Sequence, residues 1–233
     1  MKKSFVSSFR IIAVCIVLAS PSVPALPAVS EFLPGDDPSI SLVPLRSPDD
    51  IQRQITSSRE MRLLAEKRKK SFEDQRDRNK TLLELNEKDQ KLIEKQIDKA
   101  DDEKREPDIP PLKADLKRAE LTEDIYNEQI KLFEAEIEAA EASMEFADAT
   151  IKVCELEKDY VRQRGEFGTA QTEGADRAKV ERLQVLVLEV EAKYLDGAVE
   201  LSNVTVKLSE RESSIASRKR SLFAVQRKLV ALD

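Results

Sequence analysis

The chain has 233 residues, of which 36% are charged and 5% aromatic, with no tryptophan, no histidine and a formal net charge of −6. So little bulky apolar surface cannot fill a thick globular core, whereas thin seams between helices need far less. The lack of histidine removes the commonest general base and metal ligand, and the two cysteines, Cys15 and Cys154, are too few for a thiolate zinc site.

Lys2, Lys3 and Arg10 precede an uninterrupted apolar run over residues 11–19, and small residues and prolines follow through Ala28. A basic start, a short apolar stretch and Val23-Pro24-Ala25 form the pattern of a secretory signal peptide over residues 1–25, cleaved after Ala25, with Ala28 as the second choice. The apolar run is short for a bilayer span. The sequence therefore predicts an exported chain, in the periplasm or outside the cell, with no membrane-spanning segment once processed. Cleavage removes three basic side chains and no acid, leaving 36 basic against 45 acidic residues and a net charge of −9. Such an acidic chain is a poor partner for nucleic acid.

Pro27, Pro34, Pro38 and Pro44 predict an extended, proline-rich linker over residues 26–47. Ser47-Pro48-Asp49-Asp50 then reads as a helix start: a capping hydroxyl, proline at the first helical position, and two carboxylates at the positive end of the helix dipole. A first long helix is expected over residues 48–106, ended by a proline-rich turn over 107–111. Its apolar stripe is incomplete, with Ile51, Met61, Ala65, Phe72, Leu82, Ile93 and Ala100 sharing it with Ser58, Arg68, Asn79, Asn86 and Asp89. Asn79 and Asn86, one heptad apart, have the spacing of register-fixing polar layers. The basic run between Glu66 and Lys80 reads as a patch for an anionic surface or as a salt-bridged face turned toward an acidic helix. Its interleaved acids favour the second.

A second helix is predicted over residues 112–164. Leu112, Leu116, Tyr126, Ile130, Phe133, Ile137, Met144, Ile151 and Val161 recur in steps of three and four, with Ala119, Ala140, Ala147 and Cys154 between them. A glycine-containing loop over 165–174 follows, with Gly165 as the left-handed helix cap. A third helix, over 175–233, repeats the pattern through Val180, Leu183, Val187, Val190, Tyr194, Leu201, Val204, Leu208, Ile215, Leu222, Val225 and Leu229. Stripes of equal length joined by a short loop predict an antiparallel hairpin with arms of about 75 Å. Setting Val161 opposite Val180 brings Glu136 to Lys207 and Asp115 to Lys228. Gly197 interrupts the last stripe, which suits a bend or the close approach of the first helix. The expected fold is all-α: an elongated antiparallel coiled coil of three long helices around a central hairpin.

Four further residues are candidates for interaction: Phe167 at the hairpin tip, Arg211 and Arg218 inside the last stripe, and Cys154, either a small buried hydrophobe or a bridge between two protomers. Arg211 and Arg218 either snorkel outward or face acids of the first helix or of a second protomer. No nucleophile elbow, phosphate-binding glycine loop or metal-ligand spacing is present, and the carboxylates lie on helix faces among lysines and arginines. The sequence therefore predicts no enzyme, no cofactor or metal, and no small-molecule substrate. Its expected partners are proteins, a second copy of itself included, and its expected role is that of a structural spacer or oligomerisation module of the bacterial envelope. Long exported helical hairpins are broadly similar to those of outer-membrane efflux ducts and their periplasmic adaptors. That resemblance implies an alternative, a periplasmic component of an export or efflux assembly.

Overall fold

A computed structural model describes residues 46–232, so the expected signal peptide and most of the proline-rich linker lie outside the described residues. The described part holds three long helices and no strand: α1 (Pro48–Asp102), α2 (Ile109–Thr172) and α3 (Arg177–Val230), with a 3₁₀ turn, Glu106–Asp108, between the first two. The protein is all-α over these residues, and no helix among them is long and apolar enough to cross a membrane.

Each helix end follows from its local sequence. At the start of α1 the Ser47 side chain accepts a hydrogen bond from the Asp50 backbone N–H at 3.1 Å, with Pro48 in the first turn. The far end closes with the Arg105 N–H on the Ala100 carbonyl at 2.8 Å and the Lys104 N–H on Asp101 at 2.9 Å. That closure puts Lys104 at φ 53°, a left-handed conformation that costs a non-glycine residue about 1–2 kcal/mol.

The second turn differs from the sequence expectation. Gly165 and Gly168 lie inside α2, which continues to Thr172, and the left-handed residue is Gly174 at φ +67°. The Ala175 N–H reaches back to the Ala170 carbonyl at 3.0 Å, and Asp176 caps α3 by accepting from the Lys179 N–H at 2.8 Å. The helix runs on because Phe167 and Ala170 are buried, and that gain outweighs the roughly 1 kcal/mol each interior glycine costs.

α2 is the middle member. Both α1 and α3 run antiparallel along it, and α1 and α3 share no backbone neighbours with each other. On one side Phe72 stacks on Phe133 with ring centroids 6.3 Å apart, Lys69 pairs with Glu141 at 2.7 Å, and Arg62 pairs with Asp148 at 2.9 Å. On the other side Tyr160 stacks on Tyr194 at 6.3 Å, and Lys152, Lys207 and Arg211 pair with Glu200, Glu145 and Glu138 at 2.5–2.6 Å.

This arrangement corrects the expected pairing. The stripe carrying Phe133, Ile151, Cys154 and Val161 packs on α1, where Ile51 and Ile55 meet it, and not on α3. Leu112, Leu116, Tyr126, Ile130, Ile137 and Met144 fall on the same stripe. A second stripe, on the opposite side of α2, faces α3 through Val153, Leu156 and Tyr160. Leu121, Leu132, Ala135, Ala139, Ala142, Phe167 and Ala170 continue it in the same steps and are all buried. A helix held between two neighbours needs two stripes, and the series from Leu112 to Val161 is one of them.

The register shifts accordingly. Glu136 meets Lys219 at 3.2 Å instead of Lys207, about three helical turns further along α3, and Asp115 pairs with Arg118 of its own helix at 3.5 Å. The longer α2 and the tighter turn, residues 173–176, account for the slide. On α3 Val187 is fully buried. Val180, Leu183, Val190, Tyr194, Leu201, Val204, Leu208, Ile215, Leu222, Val225 and Leu229 are half-buried in line with it. Gly197 marks a close approach of α2 and not of α1: a Cβ there would stand 3.0 Å from Leu156 Cδ1 and 3.4 Å from Val153 Cγ2.

On α1 the buried edge contains Ile51, Ile55, Ser58, Ala65 and Ala100. Leu82, Arg68 and Asp89 are exposed, and their neighbours Leu83, Lys69 and Gln90 take the inward positions. The far half of this edge is polar. Asn79 Nδ2 donates to Gln129 Oε1 at 3.0 Å, Asn86 Nδ2 to the Ala119 carbonyl at 2.9 Å, and Gln90 Nε2 to Glu123 Oε2 at 2.7 Å.

Candidate functional site

A cluster of buried and half-buried polar side chains lies where the start of α1 meets the last third of α2. Arg46, just ahead of the α1 cap, lays its guanidinium along the Glu157 carboxylate: Nε donates to Oε1 at 2.7 Å and Nη2 donates to Oε2. Nη1 donates to Gln54 Oε1 from the second turn of α1, and Nη2 lies 3.8 Å from the Cys154 sulfur. The side chain of Glu157 is 2% exposed and that of Arg46 34%. A carboxylate so placed needs a fork-shaped partner, and arginine supplies one that stays charged.

The site continues toward α3. The Tyr160 hydroxyl stands 3.4 Å from Glu191 Oε1, and both residues are buried between α2 and α3. Val153, Glu157 and Tyr160 on α2 repeat at the same spacing as Val187, Glu191 and Tyr194 on α3. Because the helices are antiparallel, the two copies face each other, with tyrosine stacked on tyrosine and Glu191 beside Tyr160. Arg46 breaks this local two-fold relation by pairing with Glu157 and not with Glu191.

Its electrostatics favour locking over reaction. The hydrogen bond to Glu157 raises the Arg46 guanidinium, which holds its charge at every ordinary pH. Burial pushes the Cys154 thiol above its ordinary value, with Arg46 acting in the opposite sense, and burial likewise raises the Tyr194 hydroxyl. A thiol kept protonated and 1% exposed is a poor nucleophile. It also has no route to a second chain while Ile51 and Ile55 cover it. Among the described residues no three of His, Cys, Asp and Glu converge as a metal site.

The remaining candidates fall elsewhere. Phe167 is 4% exposed and sits within α2, so it is part of the packing and not a recognition tip. Arg211 pairs with Glu138 of α2 at 2.6 Å, not with the first helix. Arg218 is exposed, and its neighbour Lys219 takes the inward place. No protein-family model, curated protein or solved structure matches the chain. Arg46, Gln54, Glu157, Tyr160 and Glu191 were missed because each looks like one more polar residue on a charged helix. The doubled Val-x-x-x-Glu-x-x-Tyr spacing was the available signal.

Proposed function

We propose that the chain is a non-enzymatic exported protein of the bacterial envelope whose helices form an antiparallel coiled coil and whose product is a fixed distance. It acts as a structural spacer or interaction module and takes protein partners through helix packing. The observation that carries this reading is the double burial of α2: its apolar side chains are committed to α1 on one side and α3 on the other. At 1.5 Å per residue, the 64 residues of α2 measure about 96 Å. Ion pairs between neighbouring helices flank both interfaces, and such flanking charges select orientation more than they stabilise. The buried network around Arg46 fits the same role, because it fixes where α1 begins on α2.

Small-angle scattering of the purified chain tests the shape. A longest dimension of at least about 90 Å is expected, and a compact particle would sink the reading. N-terminal sequencing of the protein recovered from the periplasm of a bacterial host tests export, with Leu26 expected as the first residue. A chain retained in the cytoplasm with Met1 in place would remove the envelope from the reading.

A further inference from the structure

The face of α3 turned away from α2 carries a stripe of its own. Stepping back two residues from Val187, Tyr194 and Gly197, which face α2, gives Val185, Ala192 and Leu195 on the far side of the helix. From Val185 alternate steps of three and four reach fourteen positions as far as Val230, nine of them apolar and the others Ser202, Ser209, Ser213, Arg220 and Arg227, and every one of them is exposed. Val185, Leu188, Val199, Val206, Phe223 and Val230 are each between 51% and 72% exposed. A stripe this regular on a solvent face marks an interaction surface. α1 differs: Leu63, Leu64, Leu82, Leu85 and Leu92 are exposed on it, but every exposed position between Leu64 and Leu82 is charged or polar, Lys67, Lys70, Asp74 and Asp77 among them, so no apolar stripe runs along that helix.

We infer that this outer stripe of α3 pairs antiparallel with the same stripe of a second copy of the chain, about a two-fold axis passing between Val206 and Ser209. The proposal rests on the coiled-coil reading above and names the partner. Charge selects both occupant and direction. Residues 213–230 hold five basic side chains and no acid, whereas Glu189 and Asp196 flank the stripe in its first half. An antiparallel pair that sets Ser202 opposite Ser213 of the second copy brings Arg220 against Leu195 with Asp196 beside it. One heptad on, it brings Arg227 against Leu188 with Glu189 beside it. In the same register Ala192 receives Phe223, a small side chain facing the largest, and Val185 meets Val230. A parallel pair would stack the basic ends on one another. The contact is isologous, so every layer occurs twice and the assembly closes at two copies.

The test uses the purified chain, with light scattering for mass and oxidation of a Ser202→Cys/Ser213→Cys variant for register. The expected results are twice the single-chain mass and rapid cross-linking between position 202 of one chain and position 213 of the other. Val199→Glu should weaken association at least about 100-fold while circular dichroism stays unchanged, since Val199 is 62% exposed. A single-chain mass at about 100 μM would overturn the proposal. So would cross-linking no faster than that of a Ser71→Cys control on α1, or an association indifferent to Val199→Glu. Capture of monomeric chain by phosphatidylglycerol vesicles would assign the stripe to a lipid surface instead and overturn it equally. Scattering from the same samples separates the two claims: an extended single chain removes only the pairing, whereas a compact one removes the spacer reading beneath it.

Discussion

Arg46 and Glu157 lie 111 positions apart in the chain, yet the guanidinium of one closes on the carboxylate of the other, with Nε to Oε1 at 2.7 Å. Removing one partner of a buried pair leaves an unpaired charge and typically costs about 3–5 kcal/mol. Arg46 keeps a third of its side chain in solvent, so water partly rescues the carboxylate, and Arg46→Ala should cost about 2–3 kcal/mol in urea unfolding. Replacing both partners, Arg46→Met with Glu157→Leu, should cost less than either single change. If the double variant is the least stable of the three, the pair stabilises the fold directly and this account of it fails.

The three glycines around the second turn should respond with opposite signs. Gly165 and Gly168 are helical with open space where a Cβ would go, so alanine at either should stabilise by about 0.5–1 kcal/mol. Gly174 stands at φ +67°, and Gly174→Ala should destabilise by about 1–2 kcal/mol. A helix ending at residue 164 would instead make Gly165 the sensitive position, so thermal melts of the three variants distinguish the two boundaries.

Two groups, the buried Cys154 thiol and the half-buried Tyr194 hydroxyl, predict loss of stability in alkali. The Cys154 thiol, ordinarily at 9.0, and the Tyr194 hydroxyl, ordinarily at 10.0, are both raised in the folded chain, chiefly by burial. The folded state then holds protons that the unfolded state releases. The stabilisation is complete below pH 9.0, and unfolding becomes easier as pH rises past these ordinary values toward the raised ones. Cys154→Ala with Tyr194→Phe should flatten the slope of stability above pH 9.0, and an unchanged slope would assign the alkaline loss to other groups.

Hydrogen exchange can separate the two stripes of α2. Phe133→Ala should raise exchange along α1 and leave α3 protected, because Phe133 stacks on Phe72. Tyr160 is fully buried, so Tyr160→Ala should cost about 3–5 kcal/mol and raise exchange chiefly in α3. The reverse pattern would restore the pairing first expected from the sequence.

Much of this fold is legible in the order of residues, and the failures share one cause. The start of α1 is written in Ser47-Pro48-Asp49-Asp50, and the inward line of α3 is written in its valines and leucines, because caps and single stripes are local patterns. The partner of each stripe is not local. Phe133 and Ile151 announce a buried edge without saying that the poorer helix, α1, covers it. The two glycines at 165 and 168 argue for a loop until the burial of Phe167 and Ala170 is known. The Arg46 network was invisible for a related reason, since an arginine before a helix cap gains meaning only from a glutamate more than a hundred residues away.

The first described residue and the last turn of α3 lie at widely separated points along α2. Arg46 is anchored beside Glu157, while α3 passes Glu136 at Lys219 and runs on toward the first third of α2. Tension applied between those two points acts along the helix axes. Both interfaces are then loaded in shear, with all their contacts strained together, whereas a sideways pull on either outer helix would open it like a zip. The trio should therefore resist stretching far better than splaying.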